Sequence, residues 1–359
     1  MDGLFTMTYD LQVRSLNKSY SVKFADNYLD HISRQNVYLL IDNIHAQQDF
    51  EIGKCLYLQA DERNKSIEYT QHIFHHLVKS QVSRNHFLVV IGGGFMQDIG
   101  TFISSLYKRG ISWIYVPTTF MSMLDSCIGG KSSINVGNSK NIIGNFYPPD
   151  CVIVDVNFLK TLSRSAIASG LLEGLKIVFA RGFTAYECFS EIMEKNFETG
   201  FSDSKLIQNL IQISLESKKW FVEIDEFDQD ERQLLNFGHT FGHALEASSR
   251  FGIPHGIAVG YGMLAALNFS ETKLSKNEKT LFNDIVKVLQ FSEFPIAPLR
   301  SNFDVESFMY FFDLDKKHNE STFSLILSLD SKLRKVKLPK TQETKSRIVR
   351  AIMKSLEIS

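Results

Sequence analysis

The stretch "HFLVVIGGGFMQDIGTF", His86 to Phe102, places a short continuous apolar run directly before three glycines and a helical pattern. An apolar run of this length suits a strand buried on both faces, as in a parallel sheet. Gly92, Gly93 and Gly94 allow a tight turn, and the N-terminus of the helix behind them offers free N–H groups to a phosphate. The spacing is not GxGxxG, so the simple dinucleotide fingerprint is absent. A phosphate site and a plain tight turn are both open on this stretch alone.

Further apolar runs lie on either side: "NVYLLID" and "CLYLQA" before it, "WIYVP" and "CVIVD" after it. Between "CLYLQA" and "HFLVVIG", the segment "SIEYTQHIFHHLVKS" carries Ile73, Phe74, Leu77 and Val78 as a helical stripe. Strands alternating with helices predict a parallel sheet. "YDLQVR" and "YSVKF" read as an N-terminal hairpin. After about Asp155 long amphipathic patterns take over to about Gln290, and "FSLILSL" with "RKVKLPK" then forms a second hairpin-like pair before a helical tail. The expected architecture is an α/β, Rossmann-like domain over 1–160 and a mostly α-helical domain over 161–359.

The chain has 359 residues, which favours two domains over one core. Hydrophobic residues make up 44% and charged residues 22%, an ordinary soluble balance. The formal net charge of −1 provides no basic field for nucleic acid. Cys55, Cys127, Cys151 and Cys188 are scattered, which argues against a disulfide scaffold or a zinc knuckle. "MDGLFTMTYD" lacks a basic region followed by an apolar run, and no run is long enough to span a bilayer. The expectation is a cytoplasmic protein with no membrane partner.

Three segments concentrate chemistry. "VPTTFMSMLDSCIGGKSSINVGNSKNIIGNFYPP" gathers Thr118, Thr119, Asp125, Lys131, Asn135, Lys140 and Asn141 in a polar stretch of low regularity. Such a segment beside a parallel sheet is ligand territory or a solvated loop. "SGLLEGLK" sets Glu173 and Lys176 one turn apart on one helical face. "LLNFGHTFGHALEA" sets His239 and His243 four residues apart, and His255 opens another apolar helix. A carboxylate with imidazoles can hold Zn²⁺ or a similar ion, although single helical histidines are also common in cores. No HExxH is present, so a zinc-peptidase reading lacks its general base.

Taken in order, "DERNK", "GGGFMQD", "YKRG", "VPTT", "DSCIGGK", "KNIIG", "GLLEGLK", the Asp225–Glu226 pair, "RQLLNFGHTFGHALEA" and the "HG" at His255 resemble 3-dehydroquinate synthase and its relatives, the sugar phosphate cyclases. The resemblance runs from about Val37 to Lys317. It implies NAD⁺ and a divalent metal, Zn²⁺ or Co²⁺, with Glu173, His239 and His255 as ligands and His243 on the substrate side. It implies NAD contacts from Asp42, Glu62 and Lys65, from Gly94, Phe95, Met96, Gln97 and Asp98 around the pyrophosphate, from Thr118, Thr119, Lys131 and Lys140, and from Phe158, Leu159, Lys160 and Thr161. Substrate contacts are implied for Asp125, Lys131, Asn141, Lys176, Lys218, Arg232, Asn236 and His243, with Lys316 or Lys317 at the phosphate.

The implied reaction is that of the shikimate pathway of aromatic amino acid biosynthesis. It turns 3-deoxy-D-arabino-heptulosonate 7-phosphate, a phosphorylated acidic sugar, into 3-dehydroquinate and phosphate, with no net redox change. A homodimer is implied, with Arg109 reaching the neighbouring site. The sequence departs from the family pattern at Gln97, at Ser165–Ala166, at Phe227 and Asp228, at the shifted asparagine of "IDNIH", and at Ile257, where an acidic partner beside His255 is lost. Alternative readings are a cyclase acting on another heptulose or heptulosonate phosphate, a metal-dependent polyol dehydrogenase, and a catalytically dead paralogue. Lys218 and Arg232 suit an acidic substrate, and the intact ligand set speaks against a dead site.

Overall fold

The computed structural model describes residues 10–32, 35–46, 54–137, 139–270 and 273–358. The extreme N-terminal stretch read for a leader, and Tyr9 of the expected first strand, lie outside them. Two compact units emerge. The first comprises the residues up to Thr161 together with Val222–Phe227, and the second comprises Leu162–Phe221 and the residues from Asp228 onward.

The first unit is built on a seven-stranded sheet. Its strands are β1 (Asp10–Val13), β2 (Tyr20–Ala25), β3 (Val37–Asp42), β4 (Lys54–Leu58), β5 (Phe87–Gly92), β6 (Trp113–Pro117) and, after the short pair β7 (Ile134–Val136) and β8 (Ser139–Ile143), β9 (Cys151–Asp155). The order is β1-β2-β9-β6-β5-β3-β4. β1 pairs with β2 antiparallel, and every other neighbour pair is parallel. The runs of β3 and β5 are buried on both faces, since Leu39, Leu40, Ile41, Leu88, Val89, Val90 and Ile91 have no exposure, whereas the run of edge strand β4 is only partly buried at Cys55, Leu56 and Tyr57. The chain steps outward from β3 to β4 and returns past β3 to β5, so the connections diverge at the β3/β5 boundary. Ile41 pairs with Ile91, which brings Asp42 at the end of β3 beside Gly92 at the end of β5. Such a switch point opens a crevice at the carboxyl ends of the strands.

Helix α1 (Ile67–Lys79) buries Thr70, Ile73 and Leu77. Val78, assigned to the apolar stripe from the sequence, is 64% exposed, because it lies about 100° round the helix from Leu77. Helix α2 (Gly94–Leu106) follows the glycine turn. The polar segment after β6 is more ordered than its composition suggests, since β7 and β8 form a small antiparallel pair. The β1–β2 turn explains why Val222–Phe227 belong to this unit. Glu223 accepts from the Arg14 backbone at 2.9 Å, and Glu226 accepts from Ser15 Oγ at 2.5 Å and the Leu16 backbone at 2.8 Å.

The second unit is helical: α3 (Arg164–Arg181), α4 (Phe183–Thr199), α5 (Ser204–Ile224, whose last turn groups with the first unit), α6 (His239–Ser248), α7 (His255–Phe269), α8 (Lys276–Phe291), α9 (Ala297–Ser301), α10 (Val305–Asp313) and α11 (Gln342–Leu356). The hairpin of β10 (Thr322–Leu329) and β11 (Lys332–Pro339) forms in the antiparallel register Thr322↔Pro339. Helices α3 and α7 are apolar on nearly every face and buried on nearly every face, which makes them the centre of the unit. Among the described residues no helix is long and apolar enough to cross a membrane.

Candidate metal and dinucleotide sites

Two glycines draw three helices together. A Cβ on Gly256, in the first turn of α7, would lie 2.3 Å from Ser169 O on α3, and one on Gly262 would lie 2.1 Å from Gly238 O at the start of α6. Only glycine permits backbones this close. The contacts converge the side chains at the helix starts: His239 and His243 on one face of α6, His255 at the start of α7, and Glu173 from the middle of α3.

Glu173 is 1% exposed. Its Oε2 pairs with Lys176 Nζ one turn on. Its Oε1 is buried without a hydrogen-bond partner. That oxygen faces two imidazole nitrogens, His255 Nε2 at 3.5 Å and His239 Nε2 at 3.8 Å. Donors around a tetrahedral ion with bonds of about 2.0–2.1 Å stand about 3.3–3.4 Å apart, so this trio fits a divalent cation with modest contraction. The other ring nitrogens are held. His239 Nδ1 lies 3.3 Å from Phe237 O, and His255 Nδ1 lies 3.0 Å from Glu246 Oε2. Ligand atoms of His239, His243 and His255 also fall within 4.8 Å of one another. Glu173 is the member that carries negative charge and an unsatisfied buried oxygen, which a cation would relieve.

The surroundings disfavour the protonated form of His239 and His243 and favour it for His255. Burial, then Lys176 and the neighbouring imidazoles, hold His239 well below its ordinary pKa, so it is neutral. Although part of His243 reaches solvent, desolvation of its ring, with His255 and Lys317 nearby, pushes it to about 3. For His255 burial works downward, but the Glu246 hydrogen bond and the Glu173 charge outweigh it and raise the pKa. Lys317 sits close enough to influence these rings and pairs with Asp315 at 2.7 Å. Lys218 and Arg232 are 6% and 4% exposed, unusual depths for cations. Asn236 donates to Gln233 O at 3.1 Å.

In the first unit the glycine turn leads into α2 with no side chain capping it, as an anion site requires. Around it Glu62, Lys65 and Asp98 are drawn into one network. Lys65 Nζ donates to Asp98 at 2.9 Å and lies 3.5 Å from Glu62, and Ser133 Oγ donates to Asp98 at 2.9 Å. Burial raises the Asp98 pKa, and Lys65 and Ser133 act in the other direction. Asn135 belongs to the polar stretch that the sequence marks out, whereas Ser133 carries no signal in the sequence. Asn135 donates to Glu62 at 3.0 Å and accepts from the Asn141 backbone at 2.9 Å, so together they tie the lysine-bearing hairpin to the turn.

Gln97, the departure from the family glycine, donates to Lys131 O at 2.6 Å and fastens the same segment to α2. Met96 is fully buried and belongs to the core rather than to the turn's open side. Thr119 Oγ1 meets Ser122 Oγ at 2.9 Å, and Thr118 donates its N–H to Gly92 O. Asp42 accepts from Ile44 N at 3.2 Å, and burial raises its pKa. Phe158 packs against Tyr28 and His45, and Leu159 is buried beside it in the sequence, while Lys160 donates to Asn157. Thr161 donates to Phe158 O. Gly94 and Phe95 open α2, Asp125 lies in the turn Ser122–Ser126, and Lys140 and Asn141 lie on β8. Arg109 lies just past the far end of α2, about 18 Å along the helix from the glycine turn.

Fold and site together give a parallel-sheet α/β unit with an uncapped glycine turn and a helical unit in which a buried carboxylate oxygen faces two imidazole nitrogens. The chain belongs to the 3-dehydroquinate synthase family. The family's N-terminal model matches residues 55–169 and its C-terminal model matches residues 170–318. A 3-dehydroquinate synthase of Clostridium tetani is 32% identical over 357 residues, 99% of this chain and 90% of the relative. Among solved structures, 2-deoxy-scyllo-inosose synthase complexed with carbaglucose-6-phosphate, NAD⁺ and Co²⁺ shares the fold with a TM-score of 0.79 at 21% identity, covering 94% of this chain and 99% of that one. The 2-epi-5-epi-valiolone synthase of Streptomyces hygroscopicus subsp. jinggangensis, with NAD⁺ and Zn²⁺ bound, has a TM-score of 0.78 at 20% identity, covering 97% and 100%.

Proposed function

We propose that this chain is a 3-dehydroquinate synthase, a carbon–oxygen lyase that converts 3-deoxy-D-arabino-heptulosonate 7-phosphate to 3-dehydroquinate and phosphate. The observation that carries the reading is the buried, unpartnered Glu173 Oε1 facing two Nε2 atoms, in a chain matched across both family models. NAD⁺ serves as a recycled hydride acceptor and a divalent metal, Zn²⁺ or Co²⁺, as the Lewis acid.

The chain's own groups have separate tasks. Lys176 holds one oxygen of Glu173 and so aims the other at the two imidazoles. Neutral His239 keeps a lone pair available for a cation. His243, also neutral, can accept a hydrogen bond from a substrate hydroxyl and so orient it. Lys218 and Arg232 pair with the substrate carboxylate, and Arg232 can do so bidentately. Asn236 orients a substrate hydroxyl, Lys317 or Lys316 meets the phosphate, and Asp125, Lys131 and Asn141 complete the substrate contacts. Asp42, the Glu62–Lys65–Asp98 network, the start of α2, Thr118, Thr119, Lys140 and the Phe158–Thr161 turn serve NAD⁺. Arg109, at the wrong end of α2 for its own turn, serves the neighbouring subunit's site in a homodimer.

The test is phosphate release from the heptulosonate phosphate with and without chelator, beside a neutral heptulose 7-phosphate. Release that needs metal and favours the acid is the expected result. Faster turnover of the neutral sugar overturns the substrate assignment, and steady NADH accumulation makes the protein a dehydrogenase.

A further inference from the structure

We propose that Glu246 is a positioning residue for His255, fixing the imidazole so that Nε2 faces the cation. This rests on reading Glu173, His239 and His255 as the metal site. A neutral imidazole carries one proton, and a ligand nitrogen must be the one without it. His255 is the ligand with the looser surroundings, its side chain 34% exposed against 13% for His239. His239 has its Nδ1 beside a backbone carbonyl, Phe237 O, which no side-chain change removes. His255 depends on a side chain instead.

That side chain comes from another helix. α7 contains no acidic residue, and Ile257, where the family pattern carries one, is fully buried among apolar groups. Glu246 on α6, three residues beyond His243, reaches across with Oε2 at 3.0 Å from His255 Nδ1. The same ring points Nε2 at Glu173 Oε1, 3.5 Å away. Nδ1–H donating to the Glu246 carboxylate puts the proton on the outer nitrogen, leaves the Nε2 lone pair facing inward, and makes the ring more basic as a ligand. The expected loss of an acidic partner beside His255 is thus made good from α6, through the close α6–α7 approach that Gly262 permits.

The experiment uses the full chain and Zn²⁺ alone, without substrate or NAD⁺, in competition with a chromophoric chelator. Glu246→Ala should weaken Zn²⁺ binding about 10- to 100-fold. Glu246→Gln, which keeps an acceptor, should weaken it less, and NAD⁺ affinity should stay unchanged in both. Wild-type Zn²⁺ affinity in Glu246→Ala, beside lost affinity in His255→Ala, overturns the proposal and leaves the metal site standing. Full affinity in His255→Ala overturns the metal-site reading itself. Should Glu246→Ala fail to fold, Glu246→Gln decides through ¹⁵N shifts of the His255 ring. Altered Nδ1 and Nε2 signals with weaker Zn²⁺ binding support the role, and unchanged signals with wild-type affinity overturn it.

Discussion

Asp98 and Glu173 are both secluded carboxylates, and they are treated in opposite ways. Asp98, in the α/β unit, is met by a lysine and a hydroxyl, both at 2.9 Å. Glu173, in the helical unit, has one oxygen on Lys176 and the other facing two imidazole nitrogens with no donor. A satisfied carboxylate is scaffold: it holds Lys65 and the hairpin segment in place beside a turn whose uncapped backbone N–H groups we propose as the NAD⁺ contact. An unsatisfied buried oxygen costs free energy unless something absent from the polypeptide completes it. The contrast separates a proposed site that would bind through its backbone from one that would bind through its side chains.

The contrast breaks most sharply at Glu173. Glu173→Gln removes the charge but keeps the shape, and should weaken metal binding by more than the roughly 10- to 100-fold that outer residues contribute. Metal content after dialysis checks this; stoichiometric metal in the variant would show that the three imidazoles suffice and that Glu173 is a scaffold like Asp98.

Arg232→Lys comes next. It keeps the charge and loses the planar fork, so kcat/KM for the heptulosonate phosphate should fall roughly ten- to a hundredfold, equivalent to about 1.4–3 kcal/mol. A neutral heptulose phosphate should be affected far less, and equal losses on both substrates would remove the carboxylate from Arg232's role. Asp98→Asn should act on the other unit alone. It leaves buried Lys65 with only the more distant carboxylate of Glu62, 3.5 Å away, so NAD⁺ binding should weaken about tenfold, about 1.4 kcal/mol. Metal affinity should not change; if it does, the division of labour between the units is wrong.

The centre of the sheet was legible because β3, β5, β6 and β9 are short apolar runs ended by aspartate, glycine or proline, unlike the longer apolar run of α7. The spacing marked out Glu173 and the histidines without deciding between a metal site and a core, the resemblance implied their roles, and the fold brings them together. Three features were not legible. The β7–β8 pair has no clean alternation and is secured by Asn135 and Ser133, whose partners lie far off in sequence. The Glu246–His255 contact joins two helices, and its cause is a glycine whose significance shows only when Gly238 O is found 2.1 Å from its missing Cβ. Gln97 looked like a defect in the phosphate turn, but its amide reaches Lys131 O, a contact that no periodicity encodes.

The smallest effect supplies the control for Glu173, because it concerns a satisfied carboxylate in the same helical unit. Glu278 is 6% exposed and completes a capping box at the start of α8, accepting from the Ser275 backbone at 2.8 Å, while its other oxygen accepts from Ser328 Oγ of β10 at 2.6 Å. Burial alone would raise its pKa, but the hydrogen bonds from Ser328 and Ser275 outweigh burial and lower it. The unfolded chain therefore binds the proton more readily than the folded one, and stability rises with pH through this window. The contribution is complete above the ordinary glutamate value and is lost as pH falls through the lower folded value. Glu278→Gln should cost about 1 kcal/mol near neutral pH, read as a lower urea midpoint at unchanged slope. The gap from wild type should begin to narrow as pH falls below the ordinary glutamate value, about 4.3, and close once the pH is below the lower folded value, where both side chains are neutral. A gap that stays constant down to pH 3 would mean that shape rather than charge is at stake. Metal binding should be untouched throughout, since every oxygen of Glu278 is already used within the chain, whereas the Glu173 variant should lose metal at every pH.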